Sequence, residues 1–167
     1  MTALLVELKT RARLRLNAAR REPTELRLRD CLHEVAREVG FAHWDQGRSV
    51  LGREAQFGDD MGRLWHAPAC NALLNEWFAN YDDACSALAT SRGAVLLPYQ
   101  RQFIVAGAPF IRAIGLDPRD AAWAAADRDL VRAYGTEPWS RLAFQRLKAP
   151  PSTFAARFAK RDAGQSA

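Results

Sequence analysis

Apolar residues recur at three- and four-residue steps along most of this chain, which is the spacing of helices that bury one face. The spacing predicts a first helix over residues 2–20, and its buried positions are Leu5, Leu8, Ala12, Leu16 and Ala19. Basic side chains dominate the opposite face. Pro23 ends the helix, because the residue before a proline avoids helical backbone angles.

A second helix is predicted between Thr24, whose hydroxyl can cap the first turn, and Gly40, which ends it in the left-handed conformation. Its apolar positions are Leu28, Leu32, Val35, Ala36 and Val39. We expect Phe41 and Trp44 to pack this helix against a third one over residues 45–53. The three helices form a predicted N-terminal module, residues 1–54.

A larger helical body is predicted over residues 55–149. The loop 57–62 leads to a long helix that begins at Pro68 and continues from a cap at Asp82. The apolar face of this predicted helix comprises Cys70, Leu73, Leu74, Trp77, Phe78 and Tyr81.

Two apolar runs after this helix, residues 94–99 and 102–106, are separated by a short polar turn and predict a β-hairpin. Further helices are predicted over residues 108–116, after a cap at Asp117, and from Thr136. The sequence therefore predicts a mainly α fold: a helical bundle with an N-terminal three-helix module and one small β-hairpin near residues 94–106.

Residues 150–167 form a basic tail, which is predicted to be either a docked last helix or partly disordered. A length of 167 residues, with 49% hydrophobic and 26% charged residues, is typical of one compact globular domain. No apolar run is long enough to span a bilayer, and Glu7 and Lys9 interrupt the short one near the amino end. The odd number of cysteines, Cys31, Cys70 and Cys85, is typical of reduced thiols and favours a cytoplasmic protein.

The net charge of +5 is unevenly distributed. Residues 1–29 carry eight Lys and Arg against three Glu, residues 30–140 carry ten against fifteen acidic residues, and residues 141–167 carry six against one. Basic ends therefore flank an acidic middle. The ends either bind an acidic partner such as nucleic acid or pair with the acidic middle within the fold.

Thiol or metal chemistry would have to use His66 and Cys70, which are four residues apart, with Asp60 nearby. Cys70 lies near a predicted helix start, where a thiolate is stabilised, but it also continues an apolar stripe. Cys31 and His33 add two possible zinc ligands, although the spacings do not match a known zinc finger. We therefore predict no metal or other cofactor, and these residues are interpreted first as buried or locally hydrogen-bonded groups.

The remaining candidates are a loop and a basic surface. Asp59, Asp60, Trp65, His66 and Cys70 are the predicted pocket or loop residues. The candidate residues for binding nucleic acid are Arg11, Arg15, Arg20, Arg157, Lys160 and Arg161. Residues 24–53 have the outline of a helix-turn-helix, but the large aromatics in the turn and Asp45 at the start of the third helix argue against a groove reader.

One stretch of the N-terminal module resembles a known family. Its matching residues are Leu8, Lys9, Leu32, Ala36, Arg37, Glu38, Gly40, Phe41, Trp44 and Leu51. This pattern is similar to a small helical module at the amino end of bacterial proteins, some labelled glyoxalase superfamily and others followed by ankyrin repeats. It covers about the first third of the chain. The resemblance implies a bacterial helical scaffold and no catalytic role, and the rest of the chain lacks the βαβββ units and metal ligands of a glyoxalase.

The combined pattern favours a non-enzymatic binding or regulatory protein, which presents a surface made by the N-terminal module and the loop over residues 57–68. Its partner is a protein or a second copy of the chain. The alternative is a basic nucleic-acid-binding protein, and the third hypothesis is a thiol- or metal-dependent enzyme around Cys70 and His66.

Overall fold

The N-terminal helices follow the predicted order: α1 (Ala3–Ala19), α2 (Leu28–Glu38) and α3 (Trp44–Leu51). Gly40 has the predicted left-handed conformation, with a φ of 99°, and Phe41 is buried directly after it. The start of α2 differs from the prediction. Its cap is formed by the Asp30 side chain, which accepts a hydrogen bond from the Arg27 backbone N–H at 3.0 Å.

The computed structural model describes residues 1–20 and 25–154. The predicted Thr24 cap and nearly all of the predicted tail, including Arg157, Lys160 and Arg161, therefore lie outside the described residues. No helix in the described part of the chain is long and apolar enough to cross a membrane.

The predicted long helix from Pro68 is wrong. A short 3-10 helix (Pro68–Ala72) is followed by the strand β1 (Asn75–Phe78) and then by α4 (Tyr81–Thr90). The Asn75 side-chain amide donates to the carbonyl oxygens of Cys70 and Leu73, at 3.3 and 2.7 Å, and so takes the acceptors that a continuing helix would use.

The start of α4 also differs from the prediction, because Asn80 and not Asp82 caps the helix. The side chain of Asn80 accepts hydrogen bonds from the backbone N–H groups of Asp82 and Asp83. Asn is as good a cap as Asp, and its carboxamide needs no counter-charge.

The two predicted strands, β2 (Val95–Tyr99) and β3 (Gln102–Ala106), pair with each other, but they belong to a larger unit than a two-stranded hairpin. The sheet is antiparallel with the order β1-β3-β2, and Trp77, Ile104 and Leu97 occupy the same register. Val95, Leu97 and Ile104 face the main core, and Leu96 and Val105 face a second cluster beneath α4. Both faces of the sheet are therefore buried over β2.

The rest of the described chain is helical, with α5 (Ala108–Ala113), α6 (Ala121–Ala125), α7 (Glu137–Lys148) and a 3-10 turn (Pro151–Thr153). The predicted Asp117 cap is wrong. Asp120 caps α6 by accepting from the Ala122 N–H at 2.8 Å, and Asp117 closes the preceding turn through the Arg119 N–H.

The prediction for α7 is confirmed. Trp139, Leu142, Ala143 and Leu147 are all buried, as their spacing requires. The main core runs from Leu4 on α1 to Phe154, and Arg11 on α1 donates to the Leu147 carbonyl oxygen of α7. The fold is therefore mainly α, with the N-terminal helices packed on the helical body.

Candidate functional site

The loop over residues 57–67 joins the N-terminal module to the sheet. The Met61 N–H donates to the Gln100 carbonyl oxygen at 3.0 Å, and the Gln100 N–H donates back to Gly62 at 2.7 Å. The Arg63 N–H donates to the carbonyl oxygen of Gly40 at 2.7 Å. The loop is therefore held by the tip of the sheet on one side and by the end of α2 on the other.

The predicted acidic pair shapes this loop. A carboxylate oxygen of Asp59 accepts from the Gln56 N–H, and one of Asp60 accepts from the Gly62 N–H, both at 2.8 Å. Both residues line a cavity of about 330 Å³ together with His43 and other residues of the N-terminal module. No cluster of three or more His, Cys, Asp or Glu residues in the described chain has the geometry to hold a metal ion.

Trp65 and Cys70 lie in the core. Trp65 contacts Trp139 edge to face, with 6.3 Å between the ring centroids. Cys70 is fully buried, and this burial raises the pKa of its thiol above the ordinary value. A buried neutral thiol packs as a small apolar group and is a poor nucleophile.

His66 is only half-buried and is the centre of an aromatic cluster, which we define as His66, Trp77, Tyr99 and Phe110. The ring centroids lie 5.2 Å from His66 to Tyr99, 6.0 Å to Phe110 and 6.1 Å to Trp77. The ring centroids of Trp77 and Tyr99 lie 4.9 Å apart. Burial, followed by the positive charges of Arg63 and Arg146, lowers the pKa of the His66 imidazole. The imidazole is therefore a neutral packing partner near neutral pH.

Strand β1 beside this cluster forms an open edge of the sheet. Leu74, which precedes the strand, is 99% exposed, and Trp77 is 43% exposed. In an antiparallel pair, alternate residues of an outer strand point their backbone N–H and C=O groups away from the partner. No hydrogen bond other than those to β3 engages the backbone of β1 within the described residues. These groups are ready to pair with another strand.

The opposite edge of the sheet is covered. The Leu96 N–H donates to the Arg128 carbonyl oxygen at 2.8 Å, and the Leu130 N–H donates back to Leu96 at 2.9 Å. Asp127 and Arg128 both have positive φ angles, 51° and 59°, so this covering segment is held in a strained turn. The Tyr81 hydroxyl supports the turn by donating to the Asp129 carboxylate at 2.5 Å. The sheet therefore has one covered edge and one open edge.

Arg146 lies beneath the loop and fixes its path. Its guanidinium donates to the carbonyl oxygens of Leu64 (2.7 Å), His66 (3.1 Å) and Ile114 (2.9 Å), and to both the carbonyl and the hydroxyl of Thr153. No carboxylate of the described chain pairs with it. Burial lowers the pKa of this guanidinium to about 9, so it still carries its charge at neutral pH. Arg146 is thus a structural cation that positions the backbone on both sides of Trp65.

Two of the predicted nucleic-acid-binding residues, Arg11 and Arg15, have partners within the fold. Arg15 pairs with Glu34 and Glu38, at 3.2 and 2.8 Å, and Arg11 pairs with Glu7 at 2.8 Å. Arg20 is exposed at the end of α1. The geometry of α1 therefore favours pairing within the fold over contact with phosphates.

The other possible zinc ligands are also engaged. Cys31 is fully buried, and His33 accepts a hydrogen bond at Nδ1 from the Trp44 N–H at 3.1 Å. This bond ties α2 to the start of α3, where we predicted that Phe41 and Trp44 pack. Cys31 and His33 therefore hold the N-terminal module together.

Comparison of the chain with family models, with curated proteins and with solved structures gave no match.

Proposed function

We propose that this protein is a non-enzymatic binding module, which recognises an extended segment of a partner protein at the open edge of β1. The single observation that carries the proposal is the contrast between the two edges of the sheet. One edge is closed by residues 128–130. The other presents backbone groups that no described residue pairs with, between an exposed Leu74 and an exposed Trp77. A strand added to an open edge gains main-chain hydrogen bonds, and exposed side chains supply the specificity.

The aromatic cluster supports this role because it holds Trp77 in place. Trp77 packs against Tyr99 and His66, and its indole N–H donates to the Asn75 side chain. A rigid aromatic side chain loses little conformational entropy when a partner covers it, and such residues contribute strongly to binding. We expect the partner segment to place an apolar side chain against Trp77 and Leu74.

We place the protein in the cytoplasm, because its three cysteines are free and suit a reducing compartment. We also propose that α1 to α3 are the scaffold module that the sequence resembles. Neither the buried thiol of Cys70 nor the paired arginines of α1 favours the enzyme or nucleic-acid hypotheses.

The test is a selection of displayed random peptides against the full chain, followed by affinity measurement of the selected peptides. We expect peptides with apolar residues at alternate positions, and about tenfold weaker binding to Leu74→Lys. Leu14→Lys is the matched control, because Leu14 is an exposed leucine on α1 and its replacement leaves binding unchanged. Backbone amides within residues 75–78 should become protected from hydrogen exchange in the complex.

Three results would contradict the proposal. Selected peptides could bind Leu74→Lys as tightly as the wild type, or they could protect amides elsewhere and leave β1 unchanged. A concentration-dependent dimer that Leu74→Lys abolishes would make the occupant a second copy of the chain, and the proposed partner segment would then be wrong.

A further inference from the structure

A second cavity lies between the start of α1 and the first turns of α7, and it shares no residue with the open edge of β1. Its volume is about 560 Å³, within the range of about 300–1,000 Å³ that is typical of small-molecule sites. Its lining includes Leu4, Arg53, Glu137, Ser140, Arg141 and Phe144. The lining thus combines charged groups with apolar surface.

Arg53 is a cation held in position without a carboxylate partner among the described residues. It is exposed, and its aliphatic stem lies over Gly135, where no side chain intervenes. Its Nη2 donates to the Ser140 hydroxyl at 2.8 Å, and that hydroxyl donates to the Thr136 carbonyl oxygen. No carboxylate in the described chain forms an ion pair with Arg53. Most of its donors are therefore free to bind an anionic group.

Two other charged residues line the cavity, Arg141 and Glu137, and only Arg141 forms an ion pair with a described residue. Arg141 pairs with Asp120 at 3.2 Å, which offsets its charge. Glu137 is exposed in the first turn of α7 and forms no ion pair with a described residue. The unpaired charges at the wall are therefore one positive, on Arg53, and one negative, on Glu137. A ligand that complements both must carry a charge of each sign.

The apolar residues that line the cavity indicate that the ligand also has an apolar group. Ala3 is exposed and contributes to the lining from α1, and Phe144 is 37% exposed on α7. A phosphate would bring excess negative charge near Glu137, and a simple amine would leave Arg53 without a partner. A guanidinium binds a carboxylate through two parallel hydrogen bonds, which makes Arg53 the natural anchor for that group.

We propose that this cavity binds an α-amino acid with an apolar side chain. The ligand carboxylate contacts Arg53, its ammonium group contacts Glu137, and its side chain covers Phe144 and Ala3. The site goes beyond the proposed partner-binding edge and gives the module a small-molecule ligand of defined chemistry.

The experiment is a titration of the isotope-labelled full chain, followed by amide NMR, with L-phenylalanine, 3-phenylpropionate and phenethylamine as probes. We expect saturable shifts at Ser140 and Phe144 with L-phenylalanine at up to about 10 mM, and about tenfold weaker binding of the analogues that lack either charge. Arg53→Gln removes the preference for L-phenylalanine over phenethylamine. Glu137→Gln removes the preference over 3-phenylpropionate.

Arg92→Gln is the matched control, because Arg92 is exposed beyond the end of α4 and does not line the cavity. The spectra of all variants away from the cavity verify that they are folded. The proposal is overturned if L-phenylalanine gives no saturable shift at the cavity, if the three probes bind equally, or if both cavity variants retain wild-type preferences.

Discussion

The guanidinium carbon of Arg146 lies 3.6 Å from the centroid of the Phe154 ring, and the Arg146 side chain has no access to solvent. Such a contact is a cation-π interaction, and it completes the enclosure of a charge that five hydrogen bonds already satisfy. Arginine has five N–H donors in a fixed plane, and here each one has an acceptor. One residue thereby joins the loop at Leu64 and His66, the end of α5 and the chain after α7.

We predict that Arg146→Met lowers the free energy of unfolding by more than about 3 kcal/mol, because it leaves several buried carbonyl groups without donors. Arg146→Lys should recover only part of this loss, since an ammonium has three donors and no plane to place against Phe154. Urea denaturation at neutral pH measures both. The control is Arg13→Met, an exposed arginine on α1, with an effect within about 0.5 kcal/mol. A small effect of Arg146→Met would show that water replaces the guanidinium.

Gly40 lies at the end of α2, where the backbone of the loop over residues 57–67 passes close to it. Its φ is 99°, and a Cβ atom there would lie 2.7 Å from the carbonyl carbon and 2.8 Å from the carbonyl oxygen of Arg63. Gly40→Ala should therefore cost more than about 2 kcal/mol, since it adds a backbone clash to the cost of a left-handed alanine. Gly93→Ala separates the two effects, because Gly93 has a φ of 73° and open space around it. Its cost should be about 1 kcal/mol. If Gly40→Ala and Gly93→Ala lower the free energy of unfolding equally in thermal unfolding experiments, the close approach of Gly40 to the Arg63 backbone is refuted.

The cysteines should differ sharply in reactivity. Cys31 and Cys70 are fully buried, and burial raises the pKa of each thiol, whereas Cys85 is half-buried on α4. In native protein, iodoacetamide should modify Cys85 first. Cys70 should react at least about a thousandfold more slowly than in urea, because its exposure requires an opening that costs about 5 kcal/mol.

Peptide mass spectrometry identifies the modified cysteine, and Cys85→Ser should abolish the fast reaction. Fast native labelling of Cys70 would contradict its burial and would restore the hypothesis of a thiol enzyme around Cys70 and His66.

The helices with strong periodicity could be predicted from sequence, and the β1 strand could not. In α7, the buried apolar residues are Trp139, Leu142, Ala143 and Leu147. Their three- and four-residue spacing fits one face of a helix and does not fit the alternation of a strand. The apolar residues from Cys70 to Tyr81 also fit helical spacing, and β1 is too short to show a clear alternation. Pairing with β3 decides its conformation, and this is a long-range effect that local spacing does not contain.

The candidate site was predicted only in part for the same reason. The sequence indicates His66 but not Trp77 and Tyr99 beside it, because these residues meet only after the sheet forms. Arg146 did leave a signal. It occupies the buried stripe of α7, three residues after Ala143 and next to Leu147, where a solvated arginine is not expected.

The last prediction concerns pH and tests the environment of the aromatic cluster. Folding lowers the pKa of His66, because burial and the charges of Arg63 and Arg146 disfavour the imidazolium. Below the ordinary histidine pKa of about 6.5, the unfolded chain therefore binds a proton that the folded chain does not. The contribution of His66 to stability is present above that pH and is lost progressively as the pH falls from 7 through that value. The slope is at most about 1.4 kcal/mol per pH unit, and it is smaller in practice because solvent screens the half-buried ring. Urea denaturation of the wild type and His66→Gln across this range measures the effect as the difference between two profiles. The wild-type profile should fall more steeply than that of the variant, and parallel profiles would show that His66 has the same affinity for protons in the folded and unfolded chains.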